Sequence, residues 1–211
     1  MRGSDSTTVD ALVAARAAGL VPRQLVTITA RALDDGEPTE FSFWNGLLPV
    51  DIEVLGGASG ELVTRGFAAD NALLEVSRIR LSSELSIRPA TVRLNPAHPT
   101  VLAMLAGYDL RLAPIEIHRG LLDVTTRLPV AAPRCRFLGV IETVQRTRPA
   151  AGGEGTLTLA CISQTVELTR TNPARRSDET QRLRSGDRMM RYAETVGEWE
   201  IYWGEAEGKA K

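Results

Sequence analysis

The side chains with the widest chemical reach in this chain are His98, His118, Cys135 and Cys161, the only histidines and cysteines in 211 residues. Zinc-type ions take such ligands in close pairs, Cys-x-x-Cys or His-x-x-x-His, because one turn then presents both to the metal. Neither spacing occurs. His98 stands in the break Asn95-Pro96-Ala97-His98-Pro99, His118 and Cys161 fall inside alternating segments, and Cys135 begins another. Buried free thiols and ordinary histidines are therefore expected, with no metal and no cofactor, and a Cys135–Cys161 disulfide stays open. A Cys161–His118 pair acting as nucleophile and base would need a proximity that only the fold can supply.

The remaining candidates read as structure. Asp34 and Asp35 pose as a carboxylate pair, but they sit in Asp34-Asp35-Gly36-Glu37-Pro38, which is turn chemistry. Gly56-Gly57-Ala58-Ser59-Gly60 and Gly152-Gly153-Glu154-Gly155 lack the following Lys-Ser/Thr of a phosphate loop, so both are expected to be hairpin connections. No nucleophile elbow or zincin motif is present, and no catalytic residue is expected. Between Arg170 and Arg191 there are seven arginines against three acids, with few aromatics interleaved. That favours a solvated or protein-facing surface over one that grips nucleic acid.

The elements that carry these residues are mostly strands. Thr7 or Thr8 caps a short helix with Val9, Leu12, Val13 and Ala17 on one face and Gly19 as its stop. From Arg23 the period is two: Val26, Ile28 and Ala30 alternate with Thr27, Thr29 and Arg31. Glu40 to Trp44 returns as a hairpin partner, and Val50–Leu55 and Leu62–Arg65 flank the first glycine cluster. Leu74–Leu81 and Ser86–Leu94 read as another strand pair, and Thr100–Ala106 as an apolar helix ending at Gly107. Further strands are expected over Tyr108–Arg119, Arg134–Arg146 and Gly155–Leu168. Asp187 is read as the N-cap of a helix with the stripe Met189, Tyr192, Ala193 and Val196, followed by strand-like Glu198-Trp199-Glu200-Ile201-Tyr202-Trp203-Gly204.

The expected fold class is mainly β, an antiparallel barrel or sandwich with short flanking helices and terminal arms. The expected division is a helical arm over residues 1–22, a β-rich body over 23–172 and a C-terminal arm over 173–211, with two modules split near residue 95 as the alternative. Hydrophobic content of 43% suffices for a core, and a net charge of −1 excludes global attraction to nucleic acid. Only Lys209 and Lys211 are lysines, so nearly all positive charge is guanidinium, which suits protein interfaces. No apolar run reaches the length of a membrane span, and the start lacks a signal-peptide layout, so the chain is expected in the cytosol where it is made.

Two stretches resemble a known family. Tyr108-Asp109-Leu110-Arg111-Leu112-Ala113-Pro114-Ile115-Glu116-Ile117-His118-Arg119-Gly120 is similar to a segment of the tail-tip hub proteins of long-tailed bacteriophages and related gene transfer agents. So is Leu168-Thr169-Arg170-Thr171-Asn172-Pro173 with the following Arg-Ser-Asp-x-x-Gln, Ser-Gly-Asp-Arg, Arg-Tyr and Tyr-Trp-Gly. The resemblance covers residues from about 70 to about 205. It implies a β-barrel like that of tail tubes with a flanking helix, built into a virion tail tip or baseplate after assembly in the host cytoplasm. It implies a ring around the tail channel, most simply a homotrimer with a hexamer as alternative. Neighbours would be the tail tube or tape-measure protein, the distal tail protein and the receptor-binding fibre hub, with DNA only in transit. The cysteine-rich C-terminal cluster of the best-known relatives is absent here, so no iron–sulfur role carries over. Trp199, Ile201, Tyr202, Trp203, Arg170, Arg175, Arg176 and Tyr192 are the expected assembly-interface residues. Two other classes remain as alternatives, a β-barrel enzyme such as a tail-associated cell-wall hydrolase, and a nucleic-acid-binding barrel using Phe41, Phe43 and Trp44.

Overall fold

The computed structural model describes residues 6–19, 21–80, 86–149, 153, 155–171 and 174–198. The protein is mainly antiparallel β. Contacts divide it into two compact units, Met1–Thr169 and Arg170–Lys211.

In the first unit, helix α1 (Ser6–Ala18) precedes β1 (Val21–Ala32), β2 (Pro38–Trp44), β3 (Val50–Leu55), β4 (Leu62–Phe67), β5 (Leu73–Val76) and β6 (Pro89–Leu94). Helix α2 (Pro99–Gly107) then leads into β7 (Tyr108–Asp109), β8 (Pro114–Leu122), β9 (Arg134–Thr147) and β10 (Thr156–Ser163). The ten strands form one sheet whose main path runs β2-β1-β8-β9-β10-β6-β5. The β3–β4 hairpin leaves this path and is tied back by single parallel bridges, Leu55 to Arg134 and Phe43 to Ala68.

β1 is the element on which two layers meet. Val26, Ile28 and Ala30 belong to the larger core, with Phe43, Ile115, Ile117, Leu157 and Leu159 among their neighbours. Leu25 belongs to a second core on the opposite face, with Trp44, Ile52, Val54 and Phe67. The alternation predicted a half-buried strand. Instead Leu25, Val26, Thr27 and Ile28 are all buried, because the β3–β4 hairpin lies over the second face. Thr27 pays for its burial with a 2.9 Å hydrogen bond to Ser42 on β2.

Several expectations change in detail. Among the described side chains of α1, Thr8, Val9, Ala11, Leu12 and Ala15 are half-buried, while Val13 and Ala17 are exposed. Gly19 closes this helix at φ +86, its N–H donating to Ala15 O. The strand expected over Tyr108–Arg119 is broken by a turn at Leu110–Ala113, where Leu112 takes φ +56 and its N–H donates to Ile141 O. The strand expected to reach Leu168 ends at Ser163 and passes into a 3-10 turn over Gln164–Thr169. The Leu74–Leu81 strand is confined to β5, and residues 81–85 lie outside the described residues. His98 is the N-cap of α2, its Nδ1 accepting the Thr100 N–H at 3.3 Å.

Gly139 marks where β9 and β10 press closest. A Cβ there would stand 2.1 Å from the Ile162 carbonyl oxygen and 2.8 Å from the Phe137 ring. Backbone cannot yield as a flexible side chain can. Gly139→Ala is therefore expected to cost about 1–3 kcal/mol in urea unfolding; an unchanged midpoint would show that the two strands are looser than described.

Candidate functional site

The sequence-predicted candidates do not gather where expected. Cys161 lies in the larger core, and His118 pairs in register with Cys135 instead. Asp34 and Asp35 are turn residues, Asp35 accepting the Glu37 N–H. Both cysteines are free thiols. Among the described residues no group of histidine, cysteine and carboxylate side chains could hold a metal, and no helix is long and apolar enough to cross a membrane.

The densest polar cluster forms where the β3–β4 hairpin covers the sheet. Register places Glu40 of β2 opposite Thr29, and Glu116 of β8 opposite Thr27, so two carboxylates flank β1 on one face. Arg65 reaches across from β4. Its Nη1 lies 2.8 Å from Glu116 Oε2, and its Nε and Nη2 lie 3.1 and 3.3 Å from the two oxygens of Glu40. The Arg65 and Glu116 side chains are 10% and 13% exposed, against 47% for Glu40, so the Glu116 contact is the desolvated one.

His118 extends the cluster inward. Its Nε2–H donates to Leu55 O at 2.9 Å and lies 3.6 Å from Glu116 Oε2. Its Nδ1 is buried without a hydrogen-bond partner among the described residues. Gly57, read from the sequence as a plain loop residue, donates its N–H to Glu116. A Cβ at Gly57 would come within 2.8 Å of Cys135 Sγ and 3.2 Å of Glu116 Cδ, so only glycine brings the loop this close.

The protonation states follow from these contacts. Burial pushes the Glu116 carboxyl up, but the Arg65 guanidinium, the Gly57 N–H and His118 together hold it below its ordinary value. Burial pushes His118 down, outweighing its bond to Leu55 and the nearby Glu116, so the imidazole is neutral at pH 7. Burial, with the Glu116 charge behind it, raises the Cys135 thiol, and burial alone pushes Cys161 up to about 12. Carboxylate, imidazole and thiol thus stand together, but the carboxylate is held by arginine and the thiol keeps its proton. What the arrangement does is clasp the hairpin to the sheet.

The second unit has a different character. Helix α3 (Asp178–Arg182) is capped by Ser177, whose Oγ accepts the Thr180 N–H. The helix expected after Asp187 is instead a series of turns ending in a 3-10 turn at Val196–Glu198. Asp187 still accepts the Met189 N–H at 3.0 Å, but as a turn residue. Ion pairs join Arg188 to Asp178 at 2.6 Å and Arg182 to Glu179 at 3.1 Å. None of the described residues of this unit is buried. Leu183 and Met189 are 87% and 84% exposed, and Tyr192 is 53% exposed with the Arg191 guanidinium over its ring.

Of the expected interface residues, Arg170, Arg175, Arg176 and Tyr192 are exposed. Trp199, Ile201, Tyr202 and Trp203 lie outside the described residues. Leu183 was not singled out from sequence, and Met189 was read as part of a helical stripe, yet both are exposed. The signal was available, since isolated apolar residues among arginines and turn residues have no strand or helix face to hide in. No protein-family model matches the chain, and no curated protein matches it.

Two outcomes are expected of the clasp. Arg65→Ala strands a carboxylate that is mostly desolvated, and should cost about 2–4 kcal/mol in urea unfolding, while Glu40→Gln should cost under about 1 kcal/mol. The pH dependence has a definite sign. The folded pKa of His118 lies below its ordinary 6.5, so its contribution is full above that value and is lost as pH falls beneath it. Glu116 acts in the same direction from its ordinary 4.5 downward. Unfolding midpoints should therefore decline on acidification below about pH 6.5, and His118→Gln should flatten that first portion of the decline. A His118→Gln profile parallel to the parent's would disprove the assignment.

Proposed function

We propose that the chain is a structural subunit of a phage tail tip or baseplate. In this reading it is a hub protein that forms a homo-oligomeric ring around the tail channel and links the tail tube and distal tail protein to the receptor-binding fibre hub. It serves DNA ejection and host entry without being an enzyme. The observation that carries the reading is the second unit, which exposes Leu183, Met189, Tyr192 and Val196 and buries none of its described residues. A segment that buries no apolar surface gains little to offset the entropy of ordering it, and docking on a partner supplies the missing burial. The mainly antiparallel first unit supports the same role, as does the resemblance of residues 108–120 and 168–204 to hub proteins.

The test separates folding from assembly. Leu183→Asp combined with Met189→Asp changes only exposed side chains, so the melting temperature should stay put, with a stability change under about 0.5 kcal/mol. Incorporation into tails, read by electron microscopy of assembled particles, should be lost. Normal incorporation of the variant, or a lone copy attached outside the tail axis, would sink the proposal. DNA passing through such a channel must slide. Gel shifts with purified protein should accordingly show weak, salt-sensitive, sequence-independent binding or none, and tight sequence-selective binding at physiological salt would contradict the role.

A further inference from the structure

The first unit contains a cavity of about 910 Å³, bordered by the start of β1, the end of β8, the segment entering β9 and the run that follows β5. Four arginines line it, Arg78, Arg119, Arg134 and Arg136, together with the half-buried apolar residues Leu12, Ile79 and Leu121. No aspartate, glutamate, phenylalanine, tyrosine or tryptophan is among the described residues of its lining, and His118, which is, is fully buried. All four arginines are exposed, and none forms an ion pair among the described residues. In a chain with 25 basic and 26 acidic residues, a concavity with four cations and no anion is a strong local departure from balance. Like charges gathered in a concave, partly apolar wall repel one another and focus a field that attracts anions.

The chemistry of the lining narrows the occupant. The space far exceeds one phosphate or carboxylate and suits several residues of extended chain. Guanidinium forks favour carboxylate and phosphate alike. The apolar side chains have nothing to offer a bare polyanion, and the one aromatic ring in the described lining, the fully buried imidazole of His118, gives nucleic-acid bases no stacking platform. What fits both features is an acidic strand that also carries apolar side chains. The chain itself contains one. Residues 198–207 read Glu-Trp-Glu-Ile-Tyr-Trp-Gly-Glu-Ala-Glu, with four glutamates and with Trp199, Ile201 and Trp203 at alternate positions.

We propose that the arginine-lined cavity of one copy receives residues 198–207 of a second copy as an extended acidic–aromatic strand. The choice of a second copy as the source rests on the ring assembly proposed above, whereas the choice of an acidic strand rests on the cavity alone. Each contact is heterologous, cavity to tail, which is the kind of interface that closes into a ring.

The full chain carrying Glu200→Arg and Glu205→Arg keeps the cavity and reverses its own tail, leaving the cavity free for a probe. A fluorescein-labelled peptide of residues 196–208 should bind this variant, with affinity falling ~10-fold or more between about 0.05 M and about 0.5 M NaCl. Adding Arg134→Glu and Arg136→Glu should abolish binding while circular dichroism melting shows the protein still folded. Absence of peptide binding, or binding indifferent to the two arginine changes in folded protein, overturns the proposal. So does a single-stranded oligonucleotide that binds with the same arginine dependence when the peptide does not. In sedimentation equilibrium, the Glu200→Arg/Glu205→Arg chain and a separate Arg134→Glu/Arg136→Glu chain should each stay monomeric and should associate when mixed. Peptide binding without association of the mixture rejects the second copy as the source. A failed peptide titration leaves the tail-tip role untouched, because that role is read from particle incorporation of the Leu183→Asp/Met189→Asp variant.

Discussion

The constraint on which the rest of the first unit depends is the burial of β1 on both faces. A strand covered on one side needs only one apolar row, but β1 buries Leu25, Val26, Thr27 and Ile28 in succession. Its backbone is satisfied laterally by β2 and β8, so the remaining requirement is a second layer over the outer face. The β3–β4 hairpin supplies it, through Ile52, Val54 and Phe67 at one end. Toward the other end the sheet presents Thr27, Ser42, Glu40 and Glu116, which cannot be covered by apolar side chains without loss of their hydrogen bonds. Arg65 resolves that conflict. One guanidinium spans two strands on either side of β1 and pairs with both carboxylates, so the hairpin can close over polar ground.

Much of this framework is legible in the sequence, and the illegible parts share a cause. The hairpin of β1 and β2, the long β9, the turn at Asp34–Pro38 and helix α2 all follow from local periodicity and turn chemistry. The Arg65–Glu40–Glu116–His118 cluster does not, because its members are scattered over nearly eighty positions of sequence and only register brings them together. Gly57 looked like one of five loop residues, yet its meaning comes from Cys135, which lies far along the chain. The break at Leu110–Ala113 was hidden for the opposite reason. Leu112 adopts a left-handed conformation that glycine or asparagine would have announced, and it is held there by its N–H bond to Ile141 O.

The second unit shows how competing local signals are weighed. The stripe Met189, Tyr192, Ala193 and Val196 has helical spacing and follows an aspartate, which made Asp187 the natural cap. The chain forms its helix ten residues earlier, at Asp178–Arg182. Ser177 accepts the Thr180 N–H there, and Asp178 and Glu179 stand in the first turn where the helix dipole favours them. Ser185 and Gly186 then take positive φ and end the run. An apolar stripe makes a helix only when some surface buries it, and none of the described residues of this unit is buried.

The two units therefore solve the folding problem in opposite ways. The first has two cores and uses its ionisable groups internally, with Glu116 paired, His118 neutral and both thiols protonated. The second is held by a cap, short-range hydrogen bonds and ion pairs on a surface open to water, and exposed pairs of that kind contribute little each. Its exposed leucine, methionine and tyrosine are unfavourable for an isolated monomer and favourable for a subunit that meets a neighbour. The same argument applies to the four arginines in the cavity of the first unit, which form no ion pair among the described residues and would favour the proposed complex with an anionic strand. Two separate features, one apolar and one charged, thus each favour association over the free chain.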